Sequence, residues 1–274
     1  MKNRVSVLDA ACIRALLPEE VRAQLRDVVV LDSIDSTNEE ANRALERAAQ
    51  NFSAVHGRVY LAEMQTQGRG RSGCAWVSPH GCNFYGSLIW RFEQGIAQLA
   101  GLSLVVGLAV LTALSELGIP GVQLKWPNDV LAGKKKIAGI LIETSGDLLG
   151  PCCAVIGVGV NVAMSPEQGA AIDQPWVSVK EILGVSLVDR NQVAASVLAH
   201  IVRHVQRLTQ MGFAEFQPQW NACDAFADQS IAVAWGDQQI EGVAKGVRSD
   251  GALRVQVGDE LKYFFGGEVS LRAQ

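Results

Sequence analysis

Lys125-Trp126-Pro127-Asn128-Asp129-Val130-Leu131-Ala132-Gly133-Lys134-Lys135-Lys136-Ile137-Ala138-Gly139-Ile140-Leu141-Ile142 is the stretch on which the architecture turns. Its apolar runs are bounded by turn residues. Val122–Trp126, Asp129–Leu131 and Lys136–Glu143 read as short strands, with Gly133-Lys134-Lys135 as the turn between the last two. Pro127 forces an extended residue before it and stops ladder pairing, so Asn128 and Asp129 fall at a turn. Lys136 opens an otherwise apolar strand, so its ammonium points either to solvent or into a pocket.

Upstream, Ile96–Gly118 reads as a helix buried on all sides, with Gly118 near its end and Pro120 beyond. Its most apolar part, Leu99–Leu114, is shorter than a bilayer span and carries Gly101, Ser103, Gly107 and Thr112, which favours a core helix over a membrane anchor. Asn83–Phe92 alternates, with Phe84, Leu88, Trp90 and Phe92 on one side and Asn83, Ser87 and Arg91 on the other, as a half-buried strand does. Arg58–Met64 and Val28–Leu31 are further strands, and Met1–Asp27 is a short helical lead-in. Asp35-Ser36-Thr37-Asn38-Glu39 opens a helix running to about Ala49, with Ser36 and Glu39 spaced as a capping box.

Downstream, Ala154–Val162 reads as a strand broken by Gly157 and Gly159, Ala163–Pro175 as a polar loop, and Asn191–Gln210 as a helix. After Cys223, the dipeptides Gly236-Asp237, Asp250-Gly251 and Gly258-Asp259 separate short apolar runs at barrel-like intervals. The expected division is a large domain over residues 1–224 and a small all-β domain over 225–274.

Composition narrows the function classes. With 274 residues, 49% of them hydrophobic, the chain can build a large core and a satellite. A net charge of −4 argues against a nucleic-acid binder unless a local basic patch exists. The six cysteines form no C-x-x-C pair, so zinc-ligand spacing and a disulfide framework are both absent and reduced cytoplasmic thiols are expected. The N-terminus has no apolar signal segment.

Chemistry concentrates in a few places. Gly68-Arg69-Gly70-Arg71 follows a strand; read alone, it fits a solvated basic loop or an anion site in which bare backbone N–H groups and guanidinium forks grip oxygens. Lys125, Asp129 and Lys136 add two ammoniums and a carboxylate. Ser36-Thr37-Asn38 is a good helix start, and a helix N-terminus is also a polar, anion-binding place. Gly157-Val158-Gly159-Val160-Asn161 lacks the third glycine and the helix of a dinucleotide fingerprint. His200 and His204 lie one helical turn apart without an acidic or cysteine partner nearby in sequence and are read as surface residues. There is no H-E-x-x-H, no G-x-S-x-G and no Walker A motif. The ligand expected from these residues carries carboxylate and phosphate together.

With these residues assembled, the chain resembles the bacterial biotin–protein ligases, that is, biotin–[acetyl-CoA carboxylase] ligases. The resemblance spans roughly residues 28–272 and rests on ordered blocks: Asp35-Ser36-Thr37-Asn38, Gln65 to Arg71, Trp76 with Ser78-Pro79, Lys125 to Asp129, Lys136 to Leu141, Gly157 to Asn161, and Gly266-Gly267-Glu268-Val269-Ser270. It implies an α+β fold: a mixed sheet packed with helices, class II synthetase-like, and a small SH3-like C-terminal barrel. It implies a reaction in which ATP and biotin give biotinyl-5′-adenylate, followed by transfer to a lysine of a biotin carboxyl carrier protein of acetyl-CoA carboxylase. Mg²⁺ would travel with ATP, held mostly by phosphates and water.

The resemblance also assigns roles. Arg71 and Lys136 would shield the two anions, and Asp129 would accept a proton from, or orient, the incoming lysine. Ser36, Thr37, Asn38, Gln65, Arg69, Gly70, Arg71 and Lys136 would contact biotin. Gly68, Arg69, Arg71, Lys125, Asn128, Asn161 and Trp176 would contact the nucleotide, Trp176 by stacking on adenine. No metal is assigned to protein ligands. Only about thirty residues precede Asp35, so a DNA-reading winged helix does not fit and no DNA binding is expected. A homodimer through sheet edges is possible in this family. Cys74 stands where some relatives carry a basic residue. Two other readings stay open: a lipoate–protein ligase-like enzyme, and a biotinyl-adenylate sensor that transfers nothing.

Overall fold

In the computed structural model, residues 6–49, 51–93, 95–235, 238–265 and 269–273 are described. Met1–Val5 of the lead-in and Gly266-Gly267-Glu268 of the last block lie outside them.

Two short helices, α1 (Ala10–Leu16) and α2 (Glu19–Arg22), lead into strand β1 (Asp27–Ile34). Helix α3 (Thr37–Arg47) then crosses to β2 (Arg58–Gln65), and this crossover lets β1 and β2 pair in parallel. Next come β3 (Phe84–Phe92), helix α4 (Leu102–Glu116), β4 (Val122–Lys125), β5 (Asp129–Ala132), β6 (Lys135–Gly146) and β7 (Cys152–Val160). The resulting seven-stranded mixed sheet runs β1-β2-β3-β7-β6-β5-β4. Helices α5 (Val179–Leu183), α6 (Arg190–Met211) and α7 (Gln217–Ala222) lead to β8 (Ser230–Trp235), β9 (Gln238–Val247), β10 (Leu253–Val257), β11 (Glu260–Phe264) and β12 (Val269–Ala273). These last strands form an antiparallel sheet in the order β11-β10-β9-β8-β12, a barrel-like sheet left open between β11 and β12 among the described residues.

Both faces of the large sheet are covered. Val59, Leu61, Leu88, Trp90 and Ile156 point to the main core with α4 and α6. Tyr60, Ile89, Cys153 and Val155 point the other way, onto Ala41, Ala44 and Leu45 of α3. This corrects the half-buried reading of β3: Ser87 is as buried as its apolar neighbours because α3 closes that face too.

Other expectations change for physical reasons. The apolar helix starts at Leu102, because Gly101 adopts φ +79° and Ile96–Leu99 form a separate 3₁₀ turn. Strand β7 runs unbroken through Gly157 and Gly159. Ser36 is the N-cap of α3, yet no capping box forms; Glu39 turns away to pair with Arg69. His200 is buried, with Nε2 2.7 Å from Glu116 Oε2, and half-buried His204 sets Nδ1 2.8 Å from the His200 carbonyl. The partner that sequence distance concealed comes from α4. All six cysteines are unbridged, and burial pushes the Cys153 thiol up to about 12, which leaves it inert.

Candidate active site

The start of α3 is fixed first. Arg43 donates to both oxygens of Asp35 (2.8 and 2.9 Å), and Asp35 Oδ1 accepts the Ser36 N–H. The Arg43 guanidinium holds the Asp35 carboxyl at about 2. So anchored, Ser36, Thr37 and Asn38 are buried at the sheet rather than exposed on a helix tip. Gln65, at the end of β2, accepts the Thr37 N–H (2.9 Å) and hydroxyl (3.1 Å) with Oε1 and donates from Nε2 to Ser78 Oγ (3.1 Å). Ser87 donates to Asn38 Oδ1 (2.6 Å) and lies 2.8 Å from Thr37 Oγ1. The result is a buried wall of paired donors and acceptors.

A single cross-strand row forms the floor. Gly159 of β7 faces Gly139 of β6, Gly139 faces Asp129 of β5, and Asp129 faces Lys125 of β4. Residues paired in this way share one face of a sheet. The glycines clear a trough in which the Trp76 indole lies; a Cβ on Gly159 would come within 2.5 Å of that ring. Trp76 Nε1 is buried and has no hydrogen-bond partner among the described residues.

Lys136 reaches the same face through a β-bulge. Val130 pairs with Ala138 but Leu131 pairs with Lys136, so β6 carries one extra residue. In a regular strand, Lys136 and Gly139 would point to opposite faces; the bulge brings them together. The Lys136 ammonium lies 2.7 Å from Asp129 Oδ1 and 5.3 Å from the Trp76 ring centroid, with only 15% of its side chain exposed. Lys125 Nζ lies 3.9 Å from Asp129 Oδ2.

The glycine–arginine loop spans this trough. It folds back on itself through Gly70 N–H to Cys74 O (2.7 Å) and Trp76 N–H to Gly68 O (2.9 Å). Gly68 has no room for a side chain, since a Cβ there would meet Trp76 O at 2.5 Å and Ser78 Oγ at 2.6 Å. Arg71 donates to Asn128 Oδ1 (3.3 Å), and Asn128 Nδ2 donates to Ile140 O (2.9 Å). Burial pulls the Arg71 guanidinium below its usual range, opposed by the Asp129 carboxylate. Arg69 points the other way, to Glu39 and Glu143.

Asn161 is buried against β6, donating its N–H to Ile137 O (2.8 Å) and its Nδ2 to Lys136 O (3.3 Å). Trp176 bridges to Lys136 through the backbone and rests its ring on Gly169. Ser36–Asn38, Gln65, Gly68–Arg71, Lys125–Asp129 and Lys136 therefore meet around one trough, with Asn161 and Trp176 beside its Lys136 end. Among the described residues, no three of His, Cys, Asp and Glu cluster as metal ligands.

Comparison with known proteins fits this geometry. Residues 30–161 match the biotin/lipoate A/B protein ligase family, and residues 228–272 match the biotin protein ligase C-terminal domain. The bifunctional ligase/repressor BirA of Escherichia coli is 37% identical over 95% of this chain and 79% of its own length. The chain belongs to the biotin/lipoate A/B protein ligase family. Within the family, the biotin–[acetyl-CoA-carboxylase] ligase of Paracoccus denitrificans is 35% identical over 87% of this chain and all of its own. The biotin protein ligase of Aquifex aeolicus, solved with biotin and ATP, superposes with a TM-score of 0.76 at 30% identity, covering 91% of this chain and all of that one.

Four residues of this family site were not on the expected list. Ser87 is a hydroxyl between buried apolar neighbours in a strand whose other polar side chain, Arg91, is only partly buried, and that contrast is its only signal. Ser78 and Trp76 belong to a block carrying the resemblance but had no assigned role. Glu143, at the far end of β6, gave no signal at all.

Proposed function

We propose that the trough joins biotin to ATP as biotinyl-5′-adenylate, releasing pyrophosphate, and then passes the biotinyl group to a lysine of a biotin carboxyl carrier protein of acetyl-CoA carboxylase. The observation that carries this reading is the convergence of Arg71 and Lys136 beside a buried wall of donors and acceptors. A carboxylate oxygen attacking an α-phosphate brings two anions together, and fixed cations in a poorly hydrated site favour that crowded, charged transition state. Arg71 and Lys136 meet this need. Asp129 holds the Lys136 ammonium in place. When the ammonium turns to the reacting oxygens, Asp129 is left to orient the carrier lysine and take the proton it sheds on attacking the anhydride carbon, as AMP leaves.

Ser36, Thr37, Asn38 and Gln65 suit a ureido ring, which both donates and accepts hydrogen bonds. A dithiolane ring does neither, so biotin is favoured over lipoate. Asn161 and Trp176 serve the nucleotide, with the Trp176 ring offered to adenine, and Mg²⁺ enters on the phosphates. The domain division falls at residues 224 and 225, and the Trp126 indole N–H, donating to Gly251 O at 3.0 Å, ties the domains together. The reading places the enzyme in the cytoplasm, working without DNA and as a homodimer through sheet edges. No helix among the described residues is long and apolar enough to cross a membrane.

Biotin-dependent exchange of pyrophosphate into ATP, followed by labelling of a purified carrier domain, tests the reading. Exchange driven by lipoate and not by biotin would replace it with lipoate ligation. Adenylate formation without carrier labelling would make the chain a sensor.

A further inference from the structure

We propose that Asn83 is a positioning residue for the nucleotide end of the site, acting through the turn that carries Asn161. Val160, the last residue of β7, pairs with Phe84, the first of β3, so Asn83 and Asn161 face each other just beyond the paired strands. Asn83 is fully buried. Its Oδ1 accepts the N–H groups of three successive residues, Val162 (2.9 Å), Ala163 (3.4 Å) and Met164 (3.3 Å). Only the oxygen of an amide can take donors, so the nitrogen is turned the other way, 3.6 Å from Met164 Sδ. Ala163 N–H also reaches Cys82 O (2.9 Å), which leaves Val162 and Met164 as the residues that rely on Asn83.

Asn83 is itself held from behind. Arg190, at the start of α6, donates from Nη1 to Asn83 O (3.2 Å), and its Nη2 lies 2.7 Å from Glu63 Oε2 of β2. Both charged side chains are buried. The amide therefore projects from a fixed backbone, and the three N–H groups drawn onto its one oxygen bend the chain as soon as β7 ends. That bend keeps Asn161 beside Lys136, where its N–H and Nδ2 meet Ile137 O and Lys136 O. The Asn161 carbonyl accepts the Val179 N–H (2.9 Å), which closes the turn on its far side. Ser87, the wall residue of β3, lies four positions further along the strand, so the biotin end is set separately. That Asn161 serves the nucleotide rests on the proposed function; that Asn83 holds the turn stands on the contacts alone.

The test uses the full chain and two readouts. Asn83→Ala removes the shared acceptor, so hydrogen exchange of the Val162 and Met164 amides should speed about tenfold or more. Unchanged exchange would overturn the hold on the turn. In biotin-dependent pyrophosphate exchange, the same variant should raise KM for ATP about tenfold while its Kd for biotin stays within about twofold of the parent's. Equal losses for both ligands would overturn the positioning role and make Asn83 a packing residue. Asn83→Asp keeps an oxygen in the same place, its charge met by the three N–H groups and Arg190, and should bring KM for ATP back to within about threefold. A loss as large as that of Asn83→Ala would remove the acceptor role. In an Asn161→Ala background, Asn83→Ala should add less than about twofold to KM for ATP, and full additivity would contradict the route through Asn161. Should Asn83→Ala fail to fold, Asn83→Ser, whose hydroxyl stops short of the turn, carries the same comparisons. If the parent exchanges no pyrophosphate with biotin, the proposed function fails while the amide exchange still judges the turn.

Discussion

Arg71 and Ser87 show how much a single side chain decides here. Arg71 is the loop cation that lies half-buried beside Asn128, and the proposed function sets it at the reacting end of the trough. Arg71→Gly removes the charge and frees the backbone, so the adenylate should escape before transfer. Labelling of bystander lysines on an unrelated protein, assayed with and without carrier, should rise about tenfold or more if the arginine supplies the usual strength of a charged hydrogen bond. Selectivity equal to the parent's would show that Arg71 does not retain the intermediate. Ser87→Ala strips the wall of the hydroxyl that satisfies Asn38 Oδ1 and approaches Thr37. It should weaken biotin binding by about 1–2 kcal/mol, measured by calorimetric titration, with Asn38 left partly unpaired. At this scale the sequence was partly legible. Residues whose type is odd for their surroundings, such as Lys136 opening an apolar strand, could be picked out. Glu143 could not, because its partners Asn38 and Arg69 lie 105 and 74 positions away in the chain.

Strands β6 and β7 set the shape of the site. Gly157 and Gly159 of β7 read from sequence as breaks, whereas Gly159 opposes Gly139 of β6 to make room for Trp76, supplied by a loop far away in sequence. Gly159→Val should drive the Trp76 ring out of the trough. It should cost about 1–3 kcal/mol of stability by denaturant titration and abolish measurable biotin binding. Normal binding by a well-folded variant would mean that the trough is not where biotin lies. The bulge in β6 was likewise hidden, since the strand's residues read as a regular run and only the register with β5 reveals the extra residue. The order and kind of the elements were legible, because periodicity and turn residues are local. What covers each face is not local, and so β3 reads from sequence as half-buried.

The whole molecule is held together at the joint between its two sheets. Leu124 N–H donates to Cys223 O and Ala225 N–H to Leu124 O, both at 2.8 Å, and Asp224 is buried between them. Burial raises its carboxyl to about 6 from an ordinary 3.8. The folded chain therefore holds this proton more tightly than the unfolded chain does. The resulting stability is complete below about pH 4 and is lost as pH rises through about 6, for a total on the order of 3 kcal/mol. Asp224→Asn, neutral at every pH, should be the more stable protein near pH 7.5 and should flatten this part of the profile between about pH 4 and 6. Identical profiles for the two proteins would place the titration elsewhere. The joint matters to the chemistry because the turn it supports carries Asn128 and Asp129, the partners of Arg71 and Lys136. The account as a whole stands on those two cations forcing a carboxylate onto a phosphate, and single-turnover formation of biotinyl-adenylate by Lys136→Ala measures this most directly. The rate should fall by on the order of 10²–10³ with the fold intact, the usual loss when one transition-state charge stabiliser is removed. A rate within about threefold of the parent, a difference of less than 1 kcal/mol, would contradict it.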